Sequence, residues 1–191
     1  TMITNNYADH IYTLSKGISW ITFQNECAAI RIDDQLCKQG KGITLYSSFK
    51  QNLKGDKIYT VFEDSEGDEW ILTNKGISII GKKQVDSDFP FQYIKEADGI
   101  IYLVSQSDKL ASYNFKTRQF KFIEIPYHVS MINEVKKFDS NTLLLATDNG
   151  LIIYKIKEKE FQLIDIRTST QPSNVVQSVY QDHYKELWIF P

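Results

Sequence analysis

Cysteine is nearly missing from this chain: 191 residues carry two, Cys27 and Cys37. With no third Cys or His at ligand spacing they match no zinc motif. They are expected as reduced or buried small side chains, with a single Cys27–Cys37 bridge as the alternative. No metal or other cofactor is expected. Long apolar runs are lacking too; nothing approaches the ~18–20 residues that a membrane-spanning helix needs. The N-terminus has no charged-then-apolar leader, so a signal peptide or membrane helix of a parent protein is expected outside this stretch. Excess positive charge is absent: 22 basic residues face 24 acidic ones, and no basic block is longer than Lys82-Lys83. Phosphate backbones bind clustered cations, which excludes nucleic acid as a partner. A 3.6-residue apolar period of useful length is absent as well, and Gly (9) and Pro (4) are few.

What the chain has instead is aromatic residues, 11 Tyr, 11 Phe and 3 Trp, set in short alternating runs that suit strands. The runs repeat. Val61 to Ile77 contains Asp64-x-x-Gly67-x-x-Trp70-x-x-Thr73-x-x-Gly76, and Val179 to Ile189 repeats its first half with the same step from Asp182 to Trp188. Leu144 to Leu151 repeats the second half. In residues 57–64, Ile58, Thr60 and Phe62 alternate with Tyr59 and Val61, so both faces carry large side chains and the sheet is expected to be covered on both sides. Gly67 and Gly76 stand where tight hairpins favour positive φ.

Short strands are predicted at 7–14, 18–23, 27–32 and 43–46, then at 57–64, 69–73 and 77–81. A third set covers 91–96, 100–105, 110–115 and 120–125, with a turn at Asp98-Gly99; a fourth covers 131–138, 142–147, 151–156 and 161–166. Tyr113 precedes Phe120, and Tyr154 precedes Phe161, by the same step, so the two closing hairpins are expected to be equal in length. The exposed hairpin from Lys155 to Glu160 is expected to be only solvated. The units are approximately 7–46, 57–86, 91–125, 130–166 and a truncated 174–191. Anchored on Trp20, Trp70, Tyr102, Leu144 and Trp188, they recur at steps of 50, 32, 42 and 44 residues, 42 on average, which matches the ~40–45 residues of a four-stranded propeller blade. The expected fold is all-β: an open β-propeller fragment of about four and a half four-stranded blades. An open arc leaves blade edges and faces uncovered, so self-association is expected.

The consensus of these copies, Val-Phe/Tyr-x-Asp-x-x-Gly-x-x-Trp-Ile-x-Thr-x-x-Gly-Ile/Leu, resembles the two-component regulator propeller repeat. That repeat belongs to the sensor regions of hybrid two-component proteins of Bacteroides-type bacteria that control polysaccharide use. The resemblance is best at residues 58–80, good at 175–189 and partial at 142–154. Lys185 replaces the turn Gly, Leu144 replaces the Trp, and the first and third units keep only the strand pattern. A sialidase-type Asp-box has its Gly two positions after the Asp; Asp64 and Gly67 are three apart, which ranks that family lower. In either family Asp64, Gly67, Trp70, Thr73, Gly76, Asp182 and Trp188 would hold hairpins together.

The resemblance implies the periplasmic, extracytoplasmic sensor part of a membrane-anchored hybrid histidine kinase. Its ligand would be an oligosaccharide or similar molecule, and its signal would pass by phosphorelay to a DNA-binding output. The chain itself would have no kinase activity. The alternatives are a propeller polysaccharide lyase or glycosidase, and a protein-interaction scaffold. No catalytic residue stands out: His10, His128 and His183 fall at unrelated points of the repeat with no nucleophile motif beside them. Ligand contacts in such a fold come from loops entering the innermost strands, here Asp56-Lys57, Phe91-Gln92, Tyr127-His128 and Ser173-Asn174. Tyr127 and His128 are the candidate ligand-binding pair, an aromatic ring and a polar group suited to a sugar; packing or capping of their loop is the plainer alternative.

Overall fold

The computed structural model describes residues 7–23, 28–47, 53, 55, 57–81, 90–114, 117 and 119–191. The chain divides into two compact units, residues 1–92 and 93–191. In the first unit, strands β1 (Ala8–Thr13), β2 (Ile18–Phe23), β3 (Ala28–Asp33) and β4 (Ile43–Ser47) form an antiparallel meander in sequence order. Ile11, Ile21, Ile30 and Leu45 stand opposite one another across it. A single helical turn, α1 (Asp34–Cys37), follows β3; the Asp33 side chain accepts from the amides of Gln35 and Leu36, which starts the turn. Strands β5 (Ile58–Glu63), β6 (Glu69–Thr73) and β7 (Gly76–Ile79) make the second sheet. Residues 82–86, the end of the expected second unit, lie outside the described residues.

The third sheet contains β8 (Phe91–Ala97), β9 (Ile100–Ser105), β10 (Leu110–Asn114) and β11 (Gln119–Ile123). The fourth contains β12 (Ile132–Asp139), β13 (Thr142–Thr147), β14 (Gly150–Lys155) and β15 (Glu160–Ile164), and the fifth β16 (Ser178–Gln181) and β17 (Leu187–Phe190). Asp98 (φ 51°) and Gly99 (φ 69°) form the turn between β8 and β9. Positive φ at both central residues is the two-residue hairpin that Asp-Gly favours. The equal spacing of aromatic pairs has the expected consequence: Tyr113 pairs with Phe120 and Tyr154 with Phe161, and their ring centroids are 5.2 and 4.4 Å apart.

Within each unit, face-to-face packing of successive sheets makes a core, which is why both faces of many strands are apolar. In the first unit Ile18, Trp20 and Ala29 meet Ile58, Val61 and Ile71. In the second, every residue of β13 is buried. Leu143 and Leu145 point into a core shared with Tyr102, Val104 and Leu110, while Leu144 and Ala146 point to Val176 and Val179. Each such aliphatic side chain contributes roughly 1.5–3 kcal/mol by burial.

Two expectations need correction. Phe91-Gln92 is not a loop: the two residues open β8 and Phe91 is buried, because a side chain of that size following Pro90 has a core to enter. Cys37 is free, the reduced alternative of the expectation, and it is exposed, not buried, because it ends a surface helical turn; Cys27 lies outside the described residues.

Candidate functional site

Asp64 is a hairpin staple. One carboxylate oxygen accepts from the amides of Glu66 (3.0 Å) and Asp68 (2.8 Å), and the other from the Trp70 indole N–H at 2.8 Å. Trp70 is fully buried. Asp182 repeats this bond for bond, accepting from Tyr184 and Glu186 amides at 2.9 Å each and from the Trp188 indole at 3.1 Å. The indole N–H, more than the two amides, holds the Asp182 carboxyl below its ordinary value. Gly67 has φ +85°, and Lys185, three residues after Asp182, adopts the same left-handed conformation at +66°. The β1–β2 hairpin keeps the geometry as well, a match that the strand pattern did not reveal: the Leu14 amide donates to the Ile18 carbonyl as Asp64 does to Asp68. Leu14, Gly17 and Trp20 have the spacing of Asp64, Gly67 and Trp70. Leucine cannot accept the indole proton. Trp20 donates instead to Glu69 at 2.6 Å, and Arg31 grips the same carboxylate with Nε and Nη2 at 2.8–3.1 Å.

The second half of the repeat ties loops. Thr73 Oγ1 donates to the Gly76 carbonyl at 2.9 Å and accepts from Lys75, and Thr147 does the same with Gly150 and Asn149. The next residue anchors the loop ahead of the first strand of its sheet: Asn74 exchanges bonds with Lys57, and Asp148 with Ser130 and Met131. Asn149 then joins two of the candidate loops. Its amide donates to the His128 carbonyl at 3.0 Å, and its oxygen accepts from Asn174 at 3.1 Å. Tyr127 leans on the core and donates its hydroxyl to the Phe161 carbonyl at 3.1 Å, while the His128 ring is exposed. Within this cluster, then, His128 and Asn174 are brought together, and Asn149 is the linker that loop position alone did not mark. Asp56 lies outside the described residues.

A cleft of about 450 Å³ opens between the third and fourth sheets. Tyr102 of β9 faces Ser112 of β10, which faces Lys121 of β11, and these form one wall with Ile100 and Ile123. Tyr154 and Ile156 form the other, with Lys157, Lys159 and Asp98 at the mouth. Both tyrosines are only 3% exposed, and neither hydroxyl has a hydrogen-bond partner among the described residues. Burial, with the Tyr154 and Asp98 charges adding, pushes Tyr102 up to about 12, so it stays a proton donor. Lys157 lies 3.7 Å from Asp98. Among the described residues no group of three His, Cys, Asp or Glu could hold a metal, and no helix is long and apolar enough to cross a membrane.

This stack of antiparallel meanders is shared with solved structures. The extracellular domain of the hybrid two-component system BT3049 from B. thetaiotaomicron aligns with a TM-score of 0.72 at 21% identity, over 98% of this chain and 26% of that one. The extracellular domain of BT4673 from the same organism gives 0.69 at 17%, over 99% and 27%. Virginiamycin B lyase from Staphylococcus aureus gives 0.72 at 18%, over 94% and 61%. The fold is that of a β-propeller. No sheet closes on itself, and each sheet is a blade. The chain spans about a quarter of the length of the two extracellular domains. No protein-family model and no curated protein matches the sequence.

Proposed function

We propose that this propeller segment is part of the extracytoplasmic, ligand-sensing region of a hybrid two-component histidine kinase, and that the ligand is an oligosaccharide. The observation that carries the reading is the alignment of nearly the whole chain with extracellular domains of two-component sensors, together with the staple and Thr-x-x-Gly repeats. The role is non-catalytic. The blades, on the periplasmic side, hold a ligand, the arrangement of domains or protomers that binds it better becomes more populated, and the parent's kinase reads that shift across the inner membrane and passes it on by phosphorelay. Calorimetric titration with a panel of plant and host glycans tests the binding step; saturable binding of a glycan supports it. The parent gene tests the rest. A membrane-spanning segment and kinase motifs downstream are expected, and a stop codon soon after a seventh blade would remove the sensor reading. The likeness to virginiamycin B lyase gives the enzyme alternative a direct assay: cleavage of a glycan by the isolated chain would replace sensing with catalysis.

A further inference from the structure

The cleft between the third and fourth blades has three properties that a packing defect lacks. The first is two hydroxyls that no described residue bonds. Tyr102 and Tyr154 line the cleft, each 3% exposed, and neither hydroxyl has a partner among the described residues. Neither is a buried orphan: each hydroxyl reaches solvent in the cleft, where a ligand's oxygen atoms can take the place of water. The second is uncompensated charge. Three lysines line the cleft against one aspartate, Asp98 is engaged by Lys157, and Lys121 and Lys159 have no carboxylate partner among the described residues. The third is an aliphatic surface. Ile100, Ile123 and Ile156 flank the tyrosines, a wall suited to the C–H face of a sugar ring. The volume, about 450 Å³, lies within the ~300–1,000 Å³ usual for small-ligand sites.

The position follows from the fold. Blades diverge outward, and Ser112 is the small residue in the row Tyr102–Ser112–Lys121, so the groove stays open where a larger side chain would close it. The chemistry narrows the ligand. The lining has no arginine fork and no helix start to fix a phosphate by geometry, and since lysines attract either anion, phosphate enters the test as a competitor. A neutral sugar would leave Lys121 and Lys159 idle. We propose that this cleft binds an acidic saccharide, a hexuronate unit whose carboxylate sits between Lys121 and Lys159 and whose ring hydroxyls bond Tyr102 and Tyr154. The ligand's class rests on the saccharide reading above; the site rests on the cleft alone.

The test is titration of the 191-residue protein with digalacturonate, galactobiose and inorganic phosphate. Digalacturonate is expected to bind at least about tenfold tighter than galactobiose, and to weaken with added salt. Lys121→Glu changes an exposed side chain and should weaken digalacturonate roughly tenfold or more while leaving the melting temperature unchanged. Tyr102→Phe with Tyr154→Phe should also weaken it, yet leave the melting temperature about unchanged, because the lost hydroxyls make no bond within the described residues and reach solvent in the cleft. A merely structural pair would lose stability instead. Galactobiose binding as tightly, and indifferent to Lys121→Glu, overturns the cleft and leaves the saccharide-sensing reading standing. Phosphate competing as well as digalacturonate, and equally sensitive to Lys121→Glu, overturns the saccharide class. Absence of binding by either disaccharide overturns the cleft proposal; the glycan panel then decides the broader reading separately.

Discussion

Lys185 holds a left-handed backbone that costs a non-glycine residue about 1–2 kcal/mol. Lys185→Gly is therefore expected to stabilise the last hairpin by roughly 0.5–1 kcal/mol, once glycine's greater unfolded-state entropy is counted, read as a higher urea midpoint. The two stapled tryptophans separate bonding from burial. Trp70→Ala removes a fully buried indole and is expected to cost about 3–5 kcal/mol. Trp188 makes the same bond to its aspartate but is 53% exposed, so Trp188→Ala should cost under about 1 kcal/mol. Equal losses would mean that the hydrogen bond, rather than the packing, carries the staple. Asp182 adds a pH signature. Its folded pKa lies below the ordinary 3.8 because of the Trp188 indole, so its contribution is complete above 3.8 and is lost as pH falls through the lower, folded value. The stability difference between the protein and Asp182→Ala should be flat from neutral pH to about 4 and shrink only below it. These residues were legible because Asp64 and Asp182 bond within six positions of themselves. Leu14 was not, since a leucine in an aspartate's place carries no sign of the shared turn.

At the scale of elements, contacts between strands far apart in sequence decide more. Arg31 on β3, Trp20 on β2 and Glu69 on β6 share one carboxylate, and their side chains are largely out of water. Glu69→Gln leaves Arg31 with only Asp33, 3.6 Å from its Nη1, and is expected to cost roughly 1–2 kcal/mol, less than a fully buried pair would, because Asp33 remains and both ends still reach solvent. Chemical denaturation of the variant, with Arg31→Met and Glu69→Gln combined, checks it: the double change should recover part of the loss. Nothing in the repeat announced this cluster, because Glu69 and Arg31 occupy ordinary strand positions and meet only when two sheets stack. Gly150 is a local case. A Cβ there would lie 2.5 Å from the Ile164 carbonyl on a backbone at φ +101°, so Gly150→Ala should lower the melting temperature markedly, by a cost of about 1–3 kcal/mol. The Thr-x-x-Gly spacing marked that position before any fold was known. The cleft was invisible by contrast: Tyr102 and Lys121 lie on two strands of the third blade, Tyr154 and Lys159 on one hairpin of the fourth, and the four share no motif.

At the scale of the molecule, large apolar side chains are exposed on the first and last blades of this stretch. Tyr180, Trp188 and Phe190 are exposed on the last blade, and Ile11 and Ile43 on the first. Within the first unit a tryptophan face, that of Trp20, packs on the aliphatic face formed by Ile58, Val61 and Ile71. We propose that copies of the chain associate in the same way, the Trp188 face of one against the Ile11 face of another, a head-to-tail contact. Sedimentation at high micromolar concentration should give species larger than a monomer, and Trp188→Asp should return them to monomer; a monomer throughout removes the proposal. The sequence by itself determined the strands, the hairpins and their staples, because each depends on residues within about ten positions of one another: Asp64 with Trp70, Thr73 with Gly76, Tyr154 with Phe161. Tertiary structure alone decided which faces meet. It buried Trp70, joined His128 to Asn174 through Asn149, and gathered two tyrosines and two lysines without a carboxylate partner among the described residues around one cleft. Those outcomes depend on how sheets stack, and stacking is set by the summed packing of many side chains rather than by any spacing along the chain.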